Sequence, residues 1–157
     1  MDPRFLCDAM LGGLSRWLRA MGYEAAFAPG IDDGELVRRA AREGAIVLSS
    51  DAPLFERKAL RDGPVRGLFV PRHAPVREQL VFVMRAFALE VRAPRCMGCG
   101  GALAAVARDA VRAEVPPRAL AAYDAFWRCG ACAKVFWHGT HWESIARLRE
   151  AARRAVA

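Results

Sequence analysis

The sequence predicts an α/β fold: a parallel sheet flanked by helices, followed by a small module built on cysteines. Three observations carry this. Over roughly the first 90 residues, short buried apolar runs alternate with helical stripes. That order, β-α-β-α-β-α-β-α, implies parallel strands joined by right-handed crossovers. Near Ala93 the pattern breaks into short apolar pieces, glycines and two cysteine pairs.

The elements follow in order. RFLC (4–7) reads as a short buried strand. From Leu11, apolar residues recur at Leu14, Trp17, Leu18 and Met21, a helical stripe that Gly22 closes. EAAFA (24–28) is a weak second strand, and 32–44 is a helix with Gly44 as its stop. AIVLSS (45–50) is the strongest strand signal in the chain. Residues 52–63 read as one helix that Pro53 starts or breaks. VRGLFV (65–70) is a fourth strand, and 76–91 a long helix. Helical periodicity resumes at His141. The expected division is 1–92 for the α/β domain and 93–157 for the cysteine module with its C-terminal helix. No internal repeat or low-complexity segment is present.

Composition narrows the function. An apolar fraction of 54% in 157 residues is ample for a core. No apolar run approaches the ~20 residues a membrane helix needs. The apolar run after Asp2 and Arg4 is too short for a signal peptide, so the expected location is the cytoplasm. The net charge is +7, and Lys58 and Lys134 are the only lysines. Arginine forks match phosphate oxygens in pairs, which suits nucleic acid; a GC-rich coding bias gives the same composition.

Carboxylates recur where strands end. Asp8 follows the first strand, Asp32, Asp33 and Glu35 open the helix after the second, and Asp51 follows the third. In a parallel sheet these positions share one edge, so the carboxylates can converge on one cleft. Converging carboxylates repel, and a hard divalent cation such as Mg²⁺ or Mn²⁺ relieves the repulsion. Such an ion activates water and neutralises charge on a phosphodiester. Helix capping is the competing account for Asp32, through a capping box with Glu35, and for Asp51. Arg16 and Arg19 lie off the apolar stripe of the first helix, beside the Gly12-Gly13 pair. They are candidate phosphate contacts or a solvated face. Ser49 and Ser50 precede Asp51 and either orient it or a bound water, or finish the strand.

Cys96-x₂-Cys99 and Cys129-x₂-Cys132 stand 29 residues apart. Two such knuckles supply the four thiolates of a closed, structural Zn²⁺ site. A thiol-redox pair is the alternative. Cys7 is left over as a small buried residue. Phe126, Trp127, Phe136, Trp137 and Trp142 flank the second knuckle, as module core or as surfaces for unpaired bases. His138 and His141 are not needed as ligands.

DAMLGGLSRWLRAMGY, DDGELVRRAAREGAIVLSSD and VPPRALAAYDAFWRCGACAKVFWHGTHWESI together resemble the Mut-seven C-terminal RNase-domain family. The resemblance runs from Arg4 to about Leu148. It implies a PIN-like nuclease domain followed by a zinc ribbon, and a metal-dependent ribonuclease. Its acidic motifs fall on Asp8, on Asp32, Asp33 and Glu35, and on Asp51; its ribbon falls on the four paired cysteines. Asp8, Asp33, Glu35 and Asp51 would be catalytic, with Asp8, Asp32, Asp33 and Asp51 around Mg²⁺ or Mn²⁺. Arg16, Arg19 and Ser49 would contact RNA. The sequence departs from the family pattern at Gly34, which interrupts the acidic run, and at Ser50, where a basic residue is common. Pro71, Arg72 and His73 stand where PIN nucleases often carry a fourth acid. A nucleic-acid-binding or partner-binding ribbon protein without turnover is the alternative reading.

Overall fold

In the computed structural model, which describes residues 1–157, four parallel strands form the main sheet. They are β1 (Arg4–Cys7), β2 (Glu24–Phe27), β3 (Ile46–Ser49) and β4 (Gly67–Phe69), in the order β2-β1-β3-β4. The sheet is buried on both sides, which explains its near-continuous apolar strands. Phe5, Cys7, Ile46 and Leu48 join one core and Leu6 and Val47 the other, as the two-residue period of a strand requires.

The larger core is covered by α1 (Gly12–Ala20), α4 (Val76–Ala86) and α6 (Thr140–Val156). Ile145 and Ala152 of α6 are buried there. The helix that sequence reading groups with the cysteine module therefore packs on the α/β core. The second core takes Leu36, Val37 and Ala40 of α2 (Asp33–Glu43), with Leu54 and Val65.

Two helices differ from expectation. Residues 52–63 do not form one helix: a 3₁₀ turn (Ala52–Glu56) and α3 (Lys58–Arg61) are separated by extended Arg57. Leu54 and Leu60 would lie about 120° apart around a continuous helix. The break lets both reach the second core. The last long helix of the α/β part ends at Ala86 rather than 91. Ala88 takes a left-handed φ of 50°, and the Leu89 N–H reaches back to the Met84 carbonyl at 2.8 Å. This is a Schellman-type stop with alanine where glycine is usual, so no glycine marked it.

The C-terminal module contains an antiparallel sheet of β5 (Leu103–Val106), β6 (Phe126–Cys129) and β7 (Val135–Phe136), with α5 (Pro117–Ala122) in the β5–β6 connection. Its own core comprises only Val111, Val115, Ala119 and Phe126. Gly22 lies where the two parts meet. Its φ is 101°, and a Cβ there would stand 2.6 Å from the Ala93 carbonyl oxygen.

Candidate functional site

The two cysteine knuckles are copies of one local structure. In each, the first cysteine's N–H donates to the carbonyl five residues on, Gly101 or Lys134. In each, its carbonyl accepts the N–H four residues on, from Gly100 or Ala133. Gly100 and Ala133 are both left-handed, with φ of 84° and 63°. These turns bring the four Sγ atoms within 4.8 Å of one another, with Cys99–Cys129 at 3.4 Å and Cys96–Cys132 at 3.8 Å. Four thiolates around Zn²⁺ at Zn–S ≈ 2.3 Å stand about 3.8 Å apart, whereas a disulfide needs about 2.05 Å. The arrangement fits a tetrahedral metal and not a disulfide. Gly101 is sterically required, since a Cβ would lie 2.6 Å from the Cys129 sulfur.

The thiols do not ionise alike. Burial pushes Cys129 up, but N–H donors from Cys132 and Ala131 outweigh it and hold the thiol at about 6. The Gly101 N–H favours the Cys99 thiolate, yet burial and the neighbouring sulfurs push it up to about 12. Cys7, by contrast, is fully buried in the main core, which pushes its thiol up to about 12.

A second candidate site lies at the sheet's switch point. The chain turns to one side after β1 and to the other after β3, which opens a crevice at their C-terminal ends. A cleft of about 380 Å³ opens there, with Asp8, Asp33, Asp51 and Arg72 among its lining residues. Three of the predicted acids are thus brought together. The Asp51 side chain makes no capping bond to the 3₁₀ turn it precedes, so capping does not account for it. Nor does Asp8 cap α1, whose first residues follow Leu11 with no side-chain cap.

Ser49 organises the pair. It is fully buried, its hydroxyl donates to Asp8 Oδ2, and its Oγ accepts the Asp51 N–H at 3.0 Å. The other Asp8 oxygen accepts the Met10 N–H at 3.0 Å. Ser50 Oγ donates to the Val70 carbonyl at 2.7 Å and ties this loop to the strand beyond. Asp33 has a long ion pair with Arg57 at 3.8 Å, both half-exposed and worth little.

Four predicted site residues have other work. Asp32 caps α2: its carboxylate accepts the Glu35 N–H at 2.9 Å, which holds it below the usual carboxylate range. Glu35 accepts hydrogen bonds from Arg42 at 2.8 Å and Arg38 at 3.0 Å, which lower its pKa, and it does not line the cleft. Ser49 is too deeply buried to meet substrate and instead positions Asp8. Arg19 is 6% exposed rather than on a solvated face. Its guanidinium donates to Ala25 (2.7 Å), Met97 (3.0 Å) and Gly98 (2.9 Å) carbonyls, tying β2 to the first knuckle. Helical periodicity alone could not show that a second module covers this face. Arg16 is exposed, as expected. Sequence reading noted Arg72 only as a missing acid; it is the one cation on the cleft wall.

The chain is thus a parallel α/β sheet with an acid-lined crevice at its switch point, joined to a four-cysteine ribbon. The chain belongs to the family described as the Mut7-C RNAse domain, whose model matches residues 3–149. It is also 35% identical over 104 residues to the exonuclease mut-7 homolog of Homo sapiens. That match covers 61% of this chain and 11% of the human protein. No solved structure matches the chain.

Proposed function

We propose that this chain hydrolyses RNA phosphodiester bonds in the acidic cleft, with Mg²⁺ or Mn²⁺ held by Asp8, Asp33 and Asp51. The supporting observation is the convergence of these carboxylates at the switch point, with Asp51 free of the cap that would otherwise explain it. Oxygen donors on an open wall suit a hard cation that keeps several waters. A bound ion of this kind would supply an activated water and neutralise charge at phosphorus. Ser49 fixes the rotamer of Asp8 and sets the backbone of Asp51 at the same time, so one buried hydroxyl aligns both strand ends. Arg72, on the wall and without an ion pair, is placed to hold a non-bridging phosphate oxygen. The ribbon would carry Zn²⁺ and act as a structural and binding element.

One observation favours binding without turnover. The cysteines are the only group of three or more metal-ligand residues whose donor atoms already lie close together, and Glu35 is engaged elsewhere. Cleavage of end-labelled single-stranded RNA, with and without Mn²⁺, separates the readings. Mn²⁺-dependent cleavage by the wild type that Asp51→Asn abolishes supports the nuclease. Tight RNA binding with no cleavage in any metal supports the binding module.

A further inference from the structure

A groove of about 1230 Å³ runs between α1 and the cysteine module, and its lining is chemically one-sided. Arg16, Arg19, Arg95, Lys134 and Arg149 line it, with no aspartate or glutamate. None of these five cations belongs to any of the twelve ion pairs of the chain. Arg19, Arg95 and Arg149 spend donors on backbone carbonyls, which fixes them without a carboxylate partner. Arg16 and Lys134 are exposed. The groove is therefore a site for a polyanion.

Its wall adds a stacked column. The rings of Trp127 and His138 lie 4.3 Å apart at 20°, and those of His138 and Trp142 lie 4.2 Å apart at 5°. Arg149 lies over the Trp142 ring at 5.7 Å. No further ring or cation stacks on Trp127, which lines the groove at the other end of the column. Flat rings beside cations that lack a carboxylate partner are the two features that bind unpaired bases and their backbone. A duplex keeps its bases stacked inside and would use only the charge.

The groove and the acidic cleft are lined by neighbouring residues of the same two segments. The β1–α1 connection contributes Ala9 and Met10 to the cleft, and the first turn of α1 contributes Gly12 and Gly13 to the groove. The β2–α2 connection contributes Ala28 to one and Pro29 to the other. Resting on the cleavage reading above, we infer that the groove is the strand path. A single-stranded nucleic acid lies along it, with one base extending the column at Trp127 and phosphates at Arg16 and Lys134. The strand then passes the β1–α1 loop into the carboxylate cleft.

The test measures binding of fluorescein-labelled oligouridylate to the full chain carrying Asp51→Asn, without added divalent cation, so that turnover plays no part. Trp127→Leu should weaken binding by about 5- to 150-fold, the range for losing one base–aromatic stack. Arg16→Ala and Lys134→Ala sit on the surface and leave the fold alone; each should lower the salt slope of binding by about one. A perfect duplex of the same length should bind more weakly than the single strand and be insensitive to Trp127→Leu. Unchanged affinity and slope in these variants, or duplex bound as tightly as single strand, would overturn the strand path while leaving cleavage in the acidic cleft intact. Normal groove binding with no cleavage by the wild type would overturn the nuclease reading instead.

Discussion

The four cysteine sulfurs stand within 4.8 Å of one another, partnered only by each other and by backbone N–H groups. The three cleft carboxylates are spread around an open cavity, and two of them already have partners. The first arrangement fills all four positions of a tetrahedron and leaves none for substrate, although Cys99 and Cys132 are exposed. The second leaves room for water and a phosphate. The difference matches their surroundings. The ribbon's core has four buried residues, so its fold should depend on a bound metal. The α/β layer has clusters of 18 and 9 buried residues, the larger completed by Ile145 and Ala152 of α6, and can leave Asp51 without a capping bond.

Breaking the closed site should have the largest effect. Structural zinc contributes on the order of 10 kcal/mol in small fingers. Cys99→Ser should release about one metal per chain and unfold the ribbon, while the α/β layer keeps a separate, higher melting transition. Metal analysis of the purified protein and two-phase thermal unfolding check this. A single unchanged transition would show that the module does not depend on metal.

The strut between the two regions comes next. Arg19→Ala strands three carbonyls that now accept from a charged donor. We expect a loss of about 3 kcal/mol in denaturant unfolding. RNA affinity should keep its salt slope, because Arg19 makes no phosphate contact in this account. A reduced slope with normal stability would restore it as a substrate residue.

Ser49→Ala sharpens the open site. It should lower Mn²⁺ affinity by about 10- to 100-fold, the usual effect of removing a group that orients a ligand. Isothermal titration reads this directly, and equal affinity would mean that Asp8 needs no help.

The smallest effect is a pH dependence in the ring column. Desolvation between two indoles, and then the charge of Arg149, hold His138 below the ordinary histidine pKa, although the residue keeps some exposure. The unfolded chain therefore binds more protons just below about pH 6.5. Stability present above that value should fall as the solution is acidified through it. His138→Phe should flatten this part of the melting-temperature profile; an identical profile would place the titration elsewhere.

Much of this was legible in the sequence. The strands at 4–7, 24–28, 45–50 and 65–70, the Gly44 stop and the cysteine knuckles follow from periodicity and spacing, because each depends on neighbours within a few residues. The gathering of Asp8, Asp33 and Asp51 was legible through topology, since parallel strand ends share an edge. What the sequence hid depends on distant packing. Arg19 looks solvated until the ribbon covers it. Glu35 looks like a ligand until Arg42, two turns on, takes its carboxylate. Ser49 looks like a strand end until β1 and β3 pair and set it between two carboxylates. The ring column joins residues of β6, the segment after β7 and α6, which no single period relates.

Mn²⁺ binding shows directly whether Asp8 and Asp51 share one divalent cation. Titration of the zinc-loaded chain, followed by the electron paramagnetic resonance of free Mn²⁺, should show about one site in the wild type. Asp8→Asn and Asp51→Asn should each lose that site while keeping zinc and a melting temperature equal to or above the metal-free wild type, since a like-charge repulsion is relieved. Wild-type Mn²⁺ binding by either variant, or no Mn²⁺ site in the wild type, would contradict the account.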